Sequence, residues 1–167
     1  MLTVEDGTLV SGAEAYISVA DADTYFTNRG NPSQWSGATT GQKEAALKYA
    51  AQYMETRYRF NGCLQDTSQA LSFPRTSFYN HDGRLLAGSG VIPDAIKNAN
   101  AELALRHLIQ DLFLTTTPGD SKITSKSIGD ASETYDVTLS TNRFTYVDLL
   151  LSDYLLNSPS VVPIIRG

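Results

Sequence analysis

The chain has 167 residues, of which 41% are hydrophobic and 19% are charged, a composition that is typical of a globular protein and excludes wholesale disorder. Its net charge of −5 disfavours a dedicated nucleic-acid binder, because tight binding of phosphates normally needs a basic face. The chain has one cysteine and thus no intrachain disulfide, opens with no signal peptide, and has no apolar run near the ~20 residues that span a bilayer. We therefore expect one soluble domain.

The first 30 residues predict an extended arm followed by a helix. Residues 1–17 alternate apolar side chains with Gly7 and Gly12, a pattern that favours an extended arm. Ser18 then provides a capping signal, and the helix that it begins should end at Gly30.

The second predicted helix is long. Thr39 and Gln42 form a capping-box signal, and apolar residues recur at helical spacing from there to about Phe60. Trp35, just before this helix, is expected to fill the core nearby.

A long connector follows, and residues 69–83 are its most informative part. They combine three aromatic residues, Pro74 and a solitary Arg75 between two helical segments. Connectors of this length are uncommon in compact domains and are usually functional or disordered, and the apolar content argues against disorder. Arg75 therefore has two open interpretations, a contact with a specific partner or a pair with a carboxylate of its own domain. Asp82-Gly83 predicts a tight turn.

The last part of the chain predicts two helices around a hairpin. Pro93 opens a helix that runs to about Leu114, residues 121–140 have the pattern of a β-hairpin with a mobile tip, and a final helix covers about residues 146–156. An extended apolar tail, residues 157–167, ends the chain.

The predicted fold class is mainly α: a small helical bundle of about four helices with a short β-hairpin and extended N- and C-terminal arms. The domain boundaries follow from these elements. Residues 1–17 form the N-terminal arm, residues 18–156 the helical domain with the hairpin at 121–140 as an insertion, and residues 157–167 the tail.

The sequence offers no catalytic, cofactor or metal site. His81 and His107 are the only usual bases, and His107 lies in a helical segment where a hydrogen-bonded packing role is the better interpretation. Cys63 has no motif around it, and three Cys and His residues in all are too few for a zinc site at characteristic spacing. We expect a protein that is not an enzyme.

Two apolar or aromatic features have alternative interpretations. Tyr49, Tyr53 and Tyr58 lie on the long helix, where they are either core residues or a surface that stacks nucleobases. The tail either folds back onto its own domain or docks on a neighbouring chain by strand addition or in a groove, through Val161, Val162, Ile164 and Ile165.

An ordered set of motifs covers about residues 3–110. The motifs are Val4-Glu-Asp-Gly7, Tyr16-Ile-Ser-Val-Ala-Asp-Ala-Asp-Thr-Tyr-Phe26, Arg29-Gly30, Lys43-Glu-Ala-Ala-Leu47, Tyr53-Met-Glu-Thr-Arg-Tyr-Arg-Phe60-Asn-Gly62, Gln69-Ala-Leu-Ser-Phe-Pro-Arg75, Val91-Ile-Pro-Asp94 and Ala101-Glu-Leu-Ala-Leu105. In order and spacing they resemble a family of tailed-bacteriophage head–tail connector (adaptor) proteins. Some members of that family also carry the label of a single-stranded-DNA-binding protein like the primosomal DnaT.

The resemblance implies a structural protein of the virion, made in the host bacterial cytoplasm. It would form a ring of probably twelve copies of itself under the portal protein, dock the next neck or tail protein, and let double-stranded DNA pass without specific binding or contact with a membrane. The alternative function is a single-stranded-DNA-binding module. The residues expected to meet partner chains are Arg75, Arg84, Ile128, Tyr135, Val161, Val162, Ile164 and Ile165.

Overall fold

A computed structural model describes residues 1–77, 79, 83–113 and 144–156 in full, and the backbone of residues 122–126 and 133–136. The chain divides into two compact units. The first comprises Met1–Leu112 with Phe144–Gly167, and the second is Phe113–Arg143.

Helices dominate the described residues, so the predicted mainly α fold class is confirmed. The helices are α1 (Val19–Thr27), α2 (Ser33–Ser36), α3 (Thr40–Arg57), α4 (Asp94–His107) and α5 (Thr145–Leu151), with a 3₁₀ helix at Ser152–Tyr154. The strands are β1 (Cys63–Leu64), β2 (Arg75–Thr76), β3 (Lys122–Lys126) and β4 (Glu133–Asp136). β1 pairs with β2 and β3 pairs with β4, and both pairs are antiparallel.

Both predicted capping signals begin helices. Ser18 Oγ accepts a hydrogen bond from the backbone N–H of Asp21 at 3.1 Å. Thr39 and Gln42 form a complete capping box, in which each side chain bonds the backbone N–H of the other residue, at 2.9 and 3.3 Å. These bonds satisfy N–H groups that have no partner within the helix.

The predicted end of α3 was wrong by about three residues. The helix ends at Arg57 because the chain beyond it pairs with the segment that follows the 3₁₀ helix. Phe60 and Leu155 form an antiparallel bridge, and Leu156 donates its backbone N–H to Arg59 O at 2.9 Å. The same pairing ends the last helical segment at Tyr154, before the predicted residue 156.

The predicted end of α4 was also wrong, since the helix stops at His107 and not near residue 114. Ile109 and Gln110 both donate to the backbone oxygen of Arg106, at 3.0 and 2.9 Å, which closes a turn. Leu112 is nevertheless buried. The apolar residues that led us to extend the predicted helix therefore include a core residue that lies outside it.

The N-terminal segment does not extend away from the domain but packs against it. Ala15 and Tyr16 are buried, and Glu5 donates its backbone N–H to Ala15 O at 2.9 Å. The buried Glu5 carboxylate accepts the backbone N–H groups of Gly7, Leu9 and Val10 at 2.9 to 3.0 Å. The Glu5 side chain thus organises this loop, and its burial is offset by three hydrogen bonds.

A buried asparagine joins the N-terminal segment to the two longest helices. Asn100 on α4 is fully buried; its Oδ1 accepts the N–H of Tyr16 at 2.9 Å and its Nδ2 donates to Leu47 O on α3 at 3.0 Å. These bonds fix the alignment of three chain segments within an apolar core.

Trp35 fills the core, as its position before the long helix predicts. It is buried on α2, its ring lies 4.8 Å from that of Phe26, and its Nε1 donates to Asp23 at 2.7 Å. Lys43 Nζ forms an ion pair with the same carboxylate at 2.8 Å.

The connector between α3 and α4 is ordered by buried contacts. Phe73 is buried against Phe60, with ring centroids 4.9 Å apart. Glu55 on α3 accepts hydrogen bonds from Tyr16 Oη and from the backbone N–H of Ser72.

Further along the connector, Tyr79 and Leu85 form an antiparallel bridge, so the chain reverses between them. Asp82 of the predicted turn lies outside the described residues.

The second unit holds the predicted hairpin. Strands β3 and β4 pair with Lys122 opposite Asp136 and Lys126 opposite Glu133, with an irregularity between Ile123 and Ser125. The predicted tip and the ends of the 121–140 range lie outside the described residues.

Candidate nucleic-acid interface

Arg75, the first of the expected partner-binding residues, has its guanidinium engaged by its own chain. Its four hydrogen bonds go to backbone oxygens of Asn61 (2.6 Å), Gly62 (2.8 Å), Ser72 (3.1 Å) and Phe60 (3.2 Å). The side chain thus joins the end of α3 to the loop before β2. Its observed partners lie in its own domain, as one of the two interpretations had it, but they are backbone carbonyls and not a carboxylate.

The other expected partner-binding residues are only partly placed by the structure. Arg84 is exposed. Tyr135 lies on β4, where the structure gives the backbone alone. Ile128, Val161, Val162, Ile164 and Ile165 lie outside the described residues, as does His81. Their contacts with partner chains stay predictions.

The remaining candidates for chemistry are spread over the first unit. His107 is half-buried and stacks on Tyr49, with ring centroids 4.6 Å apart, and its Nδ1 has no hydrogen-bond partner among the described residues. The packing role predicted for His107 is present in its contact with Tyr49, and no described residue supplies the predicted hydrogen bond to Nδ1. Cys63 is exposed on β1. Within the described ranges, no three Cys, His, Asp or Glu side chains are grouped so that they could hold a metal ion.

None of the helices that the structure describes is long and apolar enough to cross a membrane.

The three tyrosines that the sequence predicted on the long helix have different surroundings, and Tyr58 lies just beyond its end. Tyr53 and Tyr58 are 6% and 8% exposed, so they belong to the core and cannot stack on a nucleobase. Burial raises the pKa of Tyr58, and its hydrogen bond to Asp148 at 2.8 Å raises it further. Tyr49 is 48% exposed and is the one of the three whose ring is open to a ligand.

A cluster of two tyrosines and an arginine, which sequence reasoning missed, lies where α1 and α5 meet the surface. The guanidinium carbon of Arg29 is 4.3 Å from the ring centroid of Tyr25, a cation–π contact. Arg29 Nη1 donates to the hydroxyl of Tyr146 at 3.3 Å, and Tyr25 Oη donates to Glu102 on α4 at 3.0 Å. We call Tyr25, Arg29 and Tyr146 the Tyr25 cluster.

The sequence contained only part of the signal for this cluster. Tyr25 and Arg29 are four residues apart, a spacing at which side chains meet along a helix. Tyr146 is 117 residues from Arg29, and no local pattern links the two.

Arg29 of the Tyr25 cluster forms no ion pair with a carboxylate of the described residues. Among the described residues the ion pairs join the N-terminal amine to Glu44, Lys43 to Asp23 and Lys48 to Glu14, and Arg29 belongs to none of them. Arg29 is exposed and Tyr146 is 45% exposed. Burial raises the pKa of Tyr25, and the Glu102 carboxylate adds to the effect, so this hydroxyl stays protonated at neutral pH.

On one side of the cluster lies a groove of about 410 Å³ with acidic walls. Tyr25 and Lys97 line it together with four carboxylates, those of Glu5, Asp6, Asp21 and Asp94. Negatively charged ligands would be repelled from a groove with these acidic walls.

Comparison with known proteins gives one family. The family model described as "Putative DnaT-like ssDNA binding protein" matches residues 1–167. No curated protein and no solved structure matches the chain.

This match corrects the function that the ordered motifs led us to expect. The identification as a head–tail connector was wrong, and with it the adaptor role, the twelve-copy ring, the portal and tail partners and the passage of double-stranded DNA without specific binding. Motifs that follow one another in the order of a known family do not by themselves specify a function. The expected location in a virion stays a prediction.

Proposed function

Because the chain belongs to the family of DnaT-like single-stranded-DNA-binding proteins, we propose that it binds single-stranded DNA. The observation that carries this proposal is the match of the family model over the full 167 residues. Single-stranded DNA was the alternative function that the label carried by some members of the resembling family, the tyrosines and the arginines between residues 57 and 84 suggested.

The Tyr25 cluster has the chemistry that such binding needs. Exposed aromatic rings stack on nucleobases, at about 1–3 kcal/mol per base, because every base has an apolar face. Tyr146 offers a ring that is 45% exposed. Arg29, held over Tyr25, offers a guanidinium for a phosphate or for the face of a base.

The charge of the chain limits the affinity. A net charge of −5 repels a polyanion at long range, so binding depends on a local cationic region rather than on the whole surface. We expect modest affinity with few released counterions, and no sequence preference, since the cluster presents stacking surfaces and cations rather than groups aimed at base edges. The proposal includes no catalytic step.

A titration of fluorescently labelled oligothymidylate by the full chain tests the proposal. Binding is expected at low salt and should weaken linearly on a plot of log affinity against log salt. A duplex of equal length is the control, and it should bind more weakly because its bases are stacked on each other and unavailable to the rings. Failure of the single strand to bind at the lowest salt would overturn the proposal.

A further inference from the structure

A second pair of aromatic rings lies on the surface of the first unit, apart from the Tyr25 cluster. Tyr49 on α3 stacks on His107 at the end of α4, with centroids 4.6 Å apart and planes inclined by 29°. Tyr49 is 48% exposed, and the stacked His107 holds one face of its ring. We call these two residues the Tyr49 pair. It provides a supported ring of the kind on which a base stacks.

Arg106 lies on α4 between Glu102, which contacts the Tyr25 cluster, and His107 of the Tyr49 pair. Arg106 lies four residues after Glu102, whose carboxylate accepts a hydrogen bond from the hydroxyl of Tyr25. Residues at this spacing are neighbours on one face of a helix. It also directly precedes His107 in the last turn of α4. Arg106 is exposed and, within the part of the chain that the structure describes, it belongs to no ion pair.

From Glu102 to His107 the axis of α4 advances about 7.5 Å and the helix turns by about 140°, at 1.5 Å and about 100° per residue. A strand that contacts both aromatic sites must therefore pass around the C-terminal end of α4, where Arg106 lies between Glu102 and His107. The acidic groove lies beside Tyr25 at residues 94–98 of α4, which precede Glu102, whereas Arg106 and His107 follow it. Repulsion by the acidic groove and attraction by Arg106 favour a strand that runs from Tyr25 toward the C-terminal end of α4.

We propose that one DNA strand binds both aromatic sites at once, with a base on the Tyr25 cluster, another on Tyr49, and a phosphate between them on Arg106. This inference rests on the proposed function and defines its site. In this arrangement, Tyr49 stacks on a base only of strands that are long enough to reach it. Arg106 binds the phosphate between the two stacked bases.

Affinities for two lengths of oligothymidylate test the inference. Strands of about 4 and about 12 nucleotides lie near the two ends of the site sizes known for single-strand-binding folds. For the long strand, Tyr49→Leu should weaken binding at least about 5-fold, the loss of one stacked base. Arg106→Gln should weaken it by a similar factor and lower the salt slope by about 0.7. For the short strand, which can occupy the Tyr25 cluster alone, Tyr49→Leu should change affinity less than twofold.

Arg59→Gln is the matched control for Arg106→Gln. Like Arg106, Arg59 is exposed and belongs to none of the ion pairs of the described residues. Unlike Arg106, it lies beyond α3, on the segment whose backbone bonds to Leu156. Equal unfolding midpoints of all variants show that the fold is kept. If the wild-type chain binds neither length, the proposed function itself fails. If it binds both lengths and Tyr49→Leu and Arg106→Gln behave as Arg59→Gln does, the two-site inference fails while the function stands.

Discussion

Arg29 lies over the ring of Tyr25, with its guanidinium carbon 4.3 Å from the ring centroid, although Arg29 is two residues beyond the end of α1. The contact holds an exposed cation in a defined place. A flexible arginine loses rotamer entropy when it binds a phosphate, and an arginine already held by a ring loses less of it. This contact therefore prepares Arg29 for the binding of a phosphate that we propose.

Replacing Arg29 by glutamine should weaken binding of single-stranded DNA. Loss of one phosphate contact and of the cation–π support is expected to lower the affinity about 5- to 30-fold and the salt slope by about 0.7. Fluorescence anisotropy over a series of KCl concentrations measures both quantities. An affinity and slope equal to those of the wild type would remove Arg29 from the interface.

Replacing Gly7 by alanine should destabilise the fold. A Cβ at Gly7 would lie 1.9 Å from the backbone oxygen of Gly90, and φ of Gly7 is +106°. We expect the free energy of unfolding to fall by about 2–4 kcal/mol, measured by urea denaturation.

Gly12→Ala is the control for this steric effect. Gly12 also has positive φ, +69°, but a Cβ there meets nothing within 4 Å. Only the backbone strain remains, and a loss of about 1 kcal/mol is expected. Equal losses at the two positions would show that the contact with Gly90 is not the cause.

Replacing Asn100 by leucine should cost about 2–4 kcal/mol of unfolding free energy. The change keeps the apolar packing volume but leaves Tyr16 N–H and Leu47 C=O buried without a partner. Hydrogen exchange of the Tyr16 amide should accelerate by more than that of amides in the middle of α3. Wild-type stability in this variant would mean that water replaces the amide.

Replacing Arg75 by lysine should destabilise the connector. A lysine ammonium has three donors at one point and cannot reach the four carbonyls that the planar guanidinium bonds. A loss of about 2 kcal/mol is expected on urea denaturation, against less than about 0.5 kcal/mol for the exposed Arg59→Lys. A stable Arg75→Lys variant that loses DNA binding would instead make Arg75 a ligand contact.

Stability should fall with rising pH above about 10. Burial raises the pKa of Tyr16 and Tyr58 in the folded chain above the value of about 10 expected in the unfolded chain. The folded state then holds more protons, so this contribution is complete below pH 10 and is lost as pH rises, by up to about 1.4 kcal/mol per pH unit for each tyrosine. Urea denaturation between about pH 8 and about pH 11 measures the slope, which Tyr58→Phe should reduce.

The helices other than α2 were readable from local sequence, and their ends only in part. Ser18 and the Thr39–Gln42 box begin helices with hydrogen bonds that span three residues, so the sequence alone contains both partners. The ends of α3 and of the last helical segment depend on the pairing of Phe60 with Leu155, residues that no local pattern connects.

The candidate interface was harder to predict for a related reason. Helical spacing grouped Tyr49, Tyr53 and Tyr58 together, yet only packing against α5 decides that the last two are buried and the first is open. The Tyr25 cluster needs Tyr146, from the other end of the chain. Arg75 looked available because its isolation in sequence gave no sign of the carbonyls around it.

Asn100 has a consequence for the order of events during translation. Tyr16 leaves the ribosome 84 residues before the amide that receives its N–H. At about 5 to 20 residues per second, the nascent segment waits roughly 4 to 17 seconds for its partner. Docking of residues 13–17 is thus a late step of biogenesis, completed only when α4 has emerged.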